Sequence, residues 1–172
     1  FRSTIPLGLF NYGGIIAIQT LWAGPWMVRV AGYEPLESAT GLFWINSTML
    51  VAFFVWGYLL PKFSKYGLET MKLMKYGLPI SYISLLVIII SGENAGAIHF
   101  SIYMLTSIVL TLTQPAVALS FPPSLAGKSL TSFNLLIFLG TFIMQWGIGL
   151  VIDLCQFLGK EEIQSFKISF TV

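Results

Sequence analysis

The sequence predicts an all-α membrane protein, with five complete transmembrane helices and the start of a sixth in one domain over residues 1–172. Three observations carry this. Only 9% of the residues are charged, against about 25% in a soluble domain, which is too few to cover a water-soluble globule of this size. The chain is 56% hydrophobic, with a mean hydropathy of +0.82. Its apolar residues also gather into runs of about 20, the length that crosses about 30 Å of hydrocarbon at 1.5 Å per residue.

The first segment runs roughly from Ile5 to Val28, carries no charge, and closes on "LWAGPW" (21–26). The second runs roughly from Ser38 to Leu60, the third from Leu73 to Ser91, the fourth from Ala95 to Phe121 and the fifth from Leu130 to Phe157. A sixth begins near Ile163. Barrel strands are excluded by length and pattern: they are about 9–11 residues and alternate in polarity, whereas "LLVIII" (85–90) does not. β-branched residues are no objection in lipid, where each segment must satisfy its own backbone. The connectors "AGYEPLE", "PKFSKYGLETMK", "SGEN", "PPSLAGKS" and "LGKEEIQ" are too short to hold a soluble domain. The chain opens on Phe1 without a signal-peptide layout and closes on "ISFTV", which reads as a span just beginning. The expectation is a fragment of a longer protein.

Lysine and arginine set the expected orientation. With the amino end cytoplasmic, the inner face collects Arg2, Lys62, Lys65, Lys72, Lys75 and Lys128, and the outer face Arg29, Lys160 and Lys167. Most of that bias comes from the connector after the second segment.

A span surrounded by lipid should be apolar all round, whereas one lining a watery path carries polar groups at helical spacing. The third segment offers only Ser81, Ser84 and tyrosines, and reads as a peripheral scaffold. In the first, Asn11, Ile15, Gln19, Trp22 and Trp26 share a face. In the fourth, Tyr103, Ser107, Thr111 and Gln114 do so just before Pro115; in the fifth, Asn134, Phe138, Thr141 and Gln145. The second carries Asn46, Ser47 and Thr48 more loosely. Such groups can simply bond packed membrane helices together, for about 0.6–2 kcal/mol each. Three stripes, each with an amide, instead predict a shared polar cavity binding a small-molecule solute through Asn11, Gln19, Ser107, Thr111, Gln114, Asn134 and Gln145.

In "LWAGPW", Pro25 cannot donate to the carbonyl of Leu21 and its ring opens that turn, while Gly24 permits bending. Two readings stand. Trp22 and Trp26 form an aromatic belt at the outer interface, or Trp22, Gly24, Pro25 and Trp26 form a bendable gate that closes over the cavity.

Other chemistries lack residues. A net charge of +2 is too small to suggest nucleic acid. Cys155 is the single cysteine and reads as an ordinary helix residue. "LAGKS" ends like a phosphate loop, but Pro122 stands where the leading glycine is needed. "NST" (46–48) matches a glycosylation sequon inside a span, where no transferase reaches. One histidine and one cysteine build neither a metal site nor a Ser-His-acid set, so the expectation is no enzyme, no cofactor and no metal. Arg29, His99 and Asp153 lie near segment ends, and no Asp, Glu, Lys, Arg or His lies mid-span. A coupling proton or ion would therefore need a titrating group elsewhere.

The arrangement resembles the carboxy-terminal half of a bacterial major facilitator superfamily transporter, a twelve-helix fold of two six-helix halves, each of two inverted three-helix repeats. "GYLLPKFSKYG" (57–67) resembles a degenerate copy of the family's Gly-x-Leu-x-Asp-Arg-x-Gly-x-Arg-Arg loop: Gly57, Leu59 and Lys62 fit, while Pro61 and Ser64 depart from it. "AGKSLTSFNLLIFLGTFIMQWGIGLVID" looks like the family's eleventh helix, with Gly140, Gly147 and Gly149, and "IQTLWAGPW" like the outer part of its seventh. The resemblance spans essentially the whole chain. It implies secondary transport of a small solute by alternating access in a bacterial inner membrane, with a missing amino-terminal six-helix half as partner. It also implies that the first, second, fourth and fifth segments face the cavity and the third and sixth lie outside. The competing reading is a non-transporting membrane subunit or receptor whose polar residues only mediate helix packing.

Overall fold

The computed structural model describes residues 5–65 and 70–171. Among them every regular element is helical: α1 (Gly13–Ala17), α2 (Ala23–Arg29), α3 (Pro35–Lys65), α4 (Thr70–Ser91), α5 (Ala97–Ser107), α6 (Thr113–Leu119), α7 (Pro123–Phe157) and α8 (Glu162–Ser169). Four stretches are long and apolar enough to cross a membrane: Pro35–Phe63, Lys72–Asn94, Ala97–Leu119 and Pro123–Phe157. These are the second to fifth segments. Arg2 and residues 66–69, part of the connector after the second segment, lie outside the described residues.

The first segment differs from the expected unbroken span. It is helical from Leu7 to Arg29 but alternates wide and ordinary turns: π turns at Leu7–Tyr12 and Ile18–Trp22, with α1 between them and α2 after. In a π turn the amide reaches back five residues, as Ala23 N–H does to the carbonyl of Ile18. Pro25 lacks the N–H an α ladder needs, and the wide turn lies just ahead of it. The fourth segment answers its own proline differently. It tightens into a 3-10 turn at Ile108–Leu112, just before Pro115. There Thr111 and Thr113 donate to the carbonyls of Ile108 and Leu110, competing with the backbone as Thr hydroxyls do.

Helices also run further than apolarity alone predicts. α3 begins at Pro35 and passes through Pro61 to Lys65, and α7 begins at Pro123 rather than near Leu130. Proline suits a first helical turn, where its missing N–H is not needed. Much of the expected connector sequence is therefore helix. Gly57, Leu59 and Lys62 accordingly lie within α3 rather than in a loop. Lys62 Nζ donates to the hydroxyl of Tyr58 at 2.8 Å and sits over its ring.

The segments pack in pairs. The first lies along the fifth; the fourth lies between the second and third; α8 packs on α7 and touches α2. Swapping the first three segments for the last three maps the first–fifth pair onto the fourth–second pair; the sixth segment departs from the exchange, packing chiefly on the fifth and only lightly on the first. The first–fifth crossing is very close. A Cβ on Gly13 would stand 2.6 Å from the Gly140 backbone, and one on Gly140 would overlap the carbonyl oxygen of Leu9. Only glycine allows backbones this near. The main core sits at one end of the bundle, where Trp26, Met27, Phe100, Met104, Ile152 and Phe166 pack together. At the same end three connectors turn through positive-φ glycines, Gly32, Gly92 and Gly159. Outside the core the helices present apolar surface; Phe43, Phe54 and Leu135 are among many large side chains left exposed. That is the surface expected of lipid-facing helices.

Candidate functional site

A belt of hydrogen-bonded polar side chains crosses three apolar segments. On the first, the π turn carries Gln19 and Thr20 side by side. Neighbouring helical residues diverge by about 100° at 3.6 residues per turn, so the two reach different partners. Gln19 Nε2 donates to Asn46 Oδ1 on α3 at 2.9 Å. Gln145 Nε2, on α7, donates to Thr20 Oγ1 at 3.0 Å. Both ends are fixed to backbone: Asn46 Nδ2 donates to the carbonyl of Leu42 and Thr20 Oγ1 to that of Ile16. Trp22 Nε1 donates to the carbonyl of Gln145 at 3.1 Å, adding a second tie between the first and fifth segments. Thr20 and Asn46 are exposed, and Gln19 and Gln145 half-buried. Among the described residues, Oε1 of Gln19 and of Gln145 accept no protein hydrogen bond, so each keeps acceptor capacity. The belt contains no titratable group. It can bind through hydrogen bonds; it cannot move a proton.

The other predicted contacts lie elsewhere. Asn11 accepts a hydrogen bond from the Tyr82 hydroxyl and lines a separate cavity of about 300 Å³ behind the first segment, with Ser81, Tyr82 and Met144. Ser107 is buried and bonds to Ser81 at 2.7 Å, and Thr106 to Ser84 at 2.8 Å, both pairs joining the third and fourth segments. Thr111 turns back on its own helix. Gln114 and Asn134 are half-buried on α6 and α7, beside Val117, Phe133 and Ile137, which form a small apolar cluster. Among the described residues neither bonds to the belt. The structure therefore joins Gln19 and Gln145 to one arrangement and leaves Asn11, Ser107, Thr111, Gln114 and Asn134 outside it. Thr20 escapes a reading based on 3–4 residue stripes; Asn46 was visible only as a polar residue in an apolar span.

The two tryptophans of "LWAGPW" have different roles. Trp26 is fully buried, donates Nε1 to the carbonyl of Ala95 at 3.1 Å, and stacks against Phe170 at 4.8 Å. It is a core anchor and cannot swing over a cavity without breaking that core. Trp22 is half-buried and meets Phe166 edge-on; with Gln145, Trp146 and Asp153 it lines a shallow groove. Ser38 Oγ donates to the carbonyl of Gly24 at 3.3 Å, tying the second segment to the first beside the proline. Of the expected aromatic pair, Trp26 is locked inside the core and Trp22 is half-buried at its edge.

Among the described residues no group of three or more His, Cys, Asp or Glu side chains comes together. His99 begins the fourth segment half-buried, and its Nδ1 has no partner among those residues. Comparison with known proteins adds no identification: no family model, curated protein or solved structure matches the chain.

Proposed function

We propose that the chain is one half of a secondary transporter of the major facilitator type, moving a small hydrogen-bonding solute by alternating access. The observation that carries this reading is the belt of Gln19, Thr20, Asn46 and Gln145. Helices surrounded by lipid gain nothing from partly exposed amides with open acceptors, whereas a wall of a watery path does. The free Oε1 atoms favour a solute that donates hydrogen bonds, and the lack of charge in the belt favours neutral recognition in this half. Any coupling proton or ion would titrate a group in the partner half.

Two further features support the family reading. The exchange of the first–fifth and second–fourth pairs fits two inverted three-helix repeats. The second segment is the least covered of the long helices, with 6% of its apolar window buried against 50% for the fourth, as expected of a helix awaiting a second half. On this reading the first segment also crosses the membrane despite its π turns, the amino end is cytoplasmic, and the setting is a bacterial inner membrane.

The competing reading is a non-transporting subunit or receptor. The mutual pairing of the belt residues, and the Ser81–Ser107 and Ser84–Thr106 bonds, favour it as helix glue. The two readings part on water access. With Cys155→Ala as background and the full-length protein in membranes, Gln19→Cys and Gln145→Cys are labelled by a water-soluble thiol reagent if the belt lines a cavity. Protection at both positions would refute the transporter reading.

A further inference from the structure

The shallow groove beside Trp22 holds polar groups that the fold leaves unused. On α7, Gln145, Gly149 and Asp153 recur every four residues and so share one face. Together with Trp22 of the first segment and the apolar side chains of Phe142, Trp146 and Leu150, they line a cavity of about 350 Å³. Gly149 forms its floor. A Cβ there would stand 3.3 Å from the Trp22 ring, so the ring closes on bare backbone. Side chains on a helix lean toward its amino end, which carries the Asp153 carboxylate over that bare turn toward Trp22. Among the described residues Asp153 has neither a hydrogen bond nor an ion pair, and the Trp146 indole N–H and Gln145 Oε1 have no protein partner. The surroundings add a field. Every described acidic residue lies at this end of the bundle, in or near the connectors that turn at Gly32, Gly92 and Gly159. They outnumber Arg29, Lys160 and Lys167, so this end is net negative and draws cations.

We propose that the groove binds an amphipathic organic cation, a substituted ammonium carried on an apolar body. The ammonium pairs with Asp153 and lies against Trp22, because aromatic rings attract cations that have shed their water. The body covers Phe142, Trp146 and Leu150, and an N–H or O–H at its far end donates to Gln145 Oε1. The rise from Gln145 to Asp153 is about 12 Å at 1.5 Å per residue, which sets the length of the ligand. A metal ion fits poorly: hard cations take about six or more oxygen ligands, and the groove offers one carboxylate and one amide oxygen among apolar walls. The inference goes beyond the transport reading and does not depend on it, since the groove would hold this ligand whether or not the ligand is carried.

The test is binding of labelled (3-phenylpropyl)trimethylammonium to the full-length protein in maltoside micelles, by equilibrium dialysis against empty micelles. We expect saturable binding, displaced by the unlabelled cation and not by 3-phenylpropanol, which has the body without the charge. Asp153→Asn should weaken binding about tenfold or more, the loss of one charge-assisted contact, and Asp153→Glu should keep most of it. Asp153 is exposed and bonds to no described residue, so Asp153→Asn should lose affinity without a change in thermal midpoint. Trp146→Ala should weaken binding several-fold. Glu37→Gln removes an acid from the same end but not from the groove, and should change affinity by less than about twofold. The absence of saturable binding, or equal affinity in Asp153→Asn, would overturn the proposal. So would displacement by phosphatidylethanolamine at concentrations no higher than the unlabelled cation needs, which would assign the groove to a lipid headgroup. Thiol labelling at Gln19→Cys is independent of these outcomes, so the two readings fail separately.

Discussion

Trp26 does two jobs, as a buried Trp usually does. Its ring fills the centre of the core, and its indole N–H satisfies the Ala95 carbonyl, tying the first segment to the connector before the fourth. Trp26→Ala should cost about 3–5 kcal/mol, the range for truncating a buried aromatic. Trp26→Phe keeps most of the apolar area but orphans the carbonyl, at about 1–3 kcal/mol. Thermal unfolding in detergent would measure both. Trp22→Phe removes only the tie to Gln145, so its effect should fall on transport more than on stability. In the belt, a double-mutant cycle on Gln19→Ala and Asn46→Ala should return a coupling of about 0.6–2 kcal/mol, the range for interhelical polar pairs. A coupling indistinguishable from zero would mean that the pair does not hold the helices together. These residues show what a sequence can and cannot disclose. Amides in apolar runs stand out by composition alone. Whether Asn11 and Gln19 share a partner depends on the helical phase at each position, and two π turns shift that phase in a way no 3.6-residue template follows.

The first segment and its crossing on the fifth belong to the scale of elements. The positions and helical character of the second to fifth segments were legible from apolar length. The pieces within the first segment were not, because a proline predicts a disturbed turn without saying whether the helix widens or tightens; Pro25 follows a π turn and Pro115 a 3-10 turn. Helix ends were also hidden, since the residues that extend the helices past their apolar runs are polar and read as connector. Pro25→Ala supplies the missing N–H and should let α1 and α2 join in a continuous ladder. We expect unaltered folding, reduced solute uptake and altered thiol labelling at Gln19→Cys. Uptake and labelling both at the original level would remove the bend from the mechanism. Gly140→Ala places a methyl group against the Leu9 carbonyl, where no side chain can move aside. Overpacking of this kind costs about 1–3 kcal/mol and occasionally more, and the loss should appear as a lower thermal midpoint with the first segment detached from the fifth.

At the scale of the whole molecule, the two ends of the bundle are built differently. One end holds the aromatic core and the three left-handed glycine turns, and is laced by Arg29 to Glu162 at 3.5 Å and by Lys167 to the Ile90 carbonyl at 3.4 Å. The other holds lysines and long projecting helices. The Arg29–Glu162 pair is about half exposed, so Glu162→Gln should change stability by less than about 1 kcal/mol, with salt shrinking the difference; a thermal shift series at two ionic strengths would check this. That end is held together by its buried aromatic packing more than by its exposed charges. The Gly13–Gly140 crossing then acquires a mechanical meaning. The first segment is clamped there at one point and by buried Trp26 at another. A beam fixed at two supports deflects most between them, and between these lie the wide turn and the paired side chains of Gln19 and Thr20.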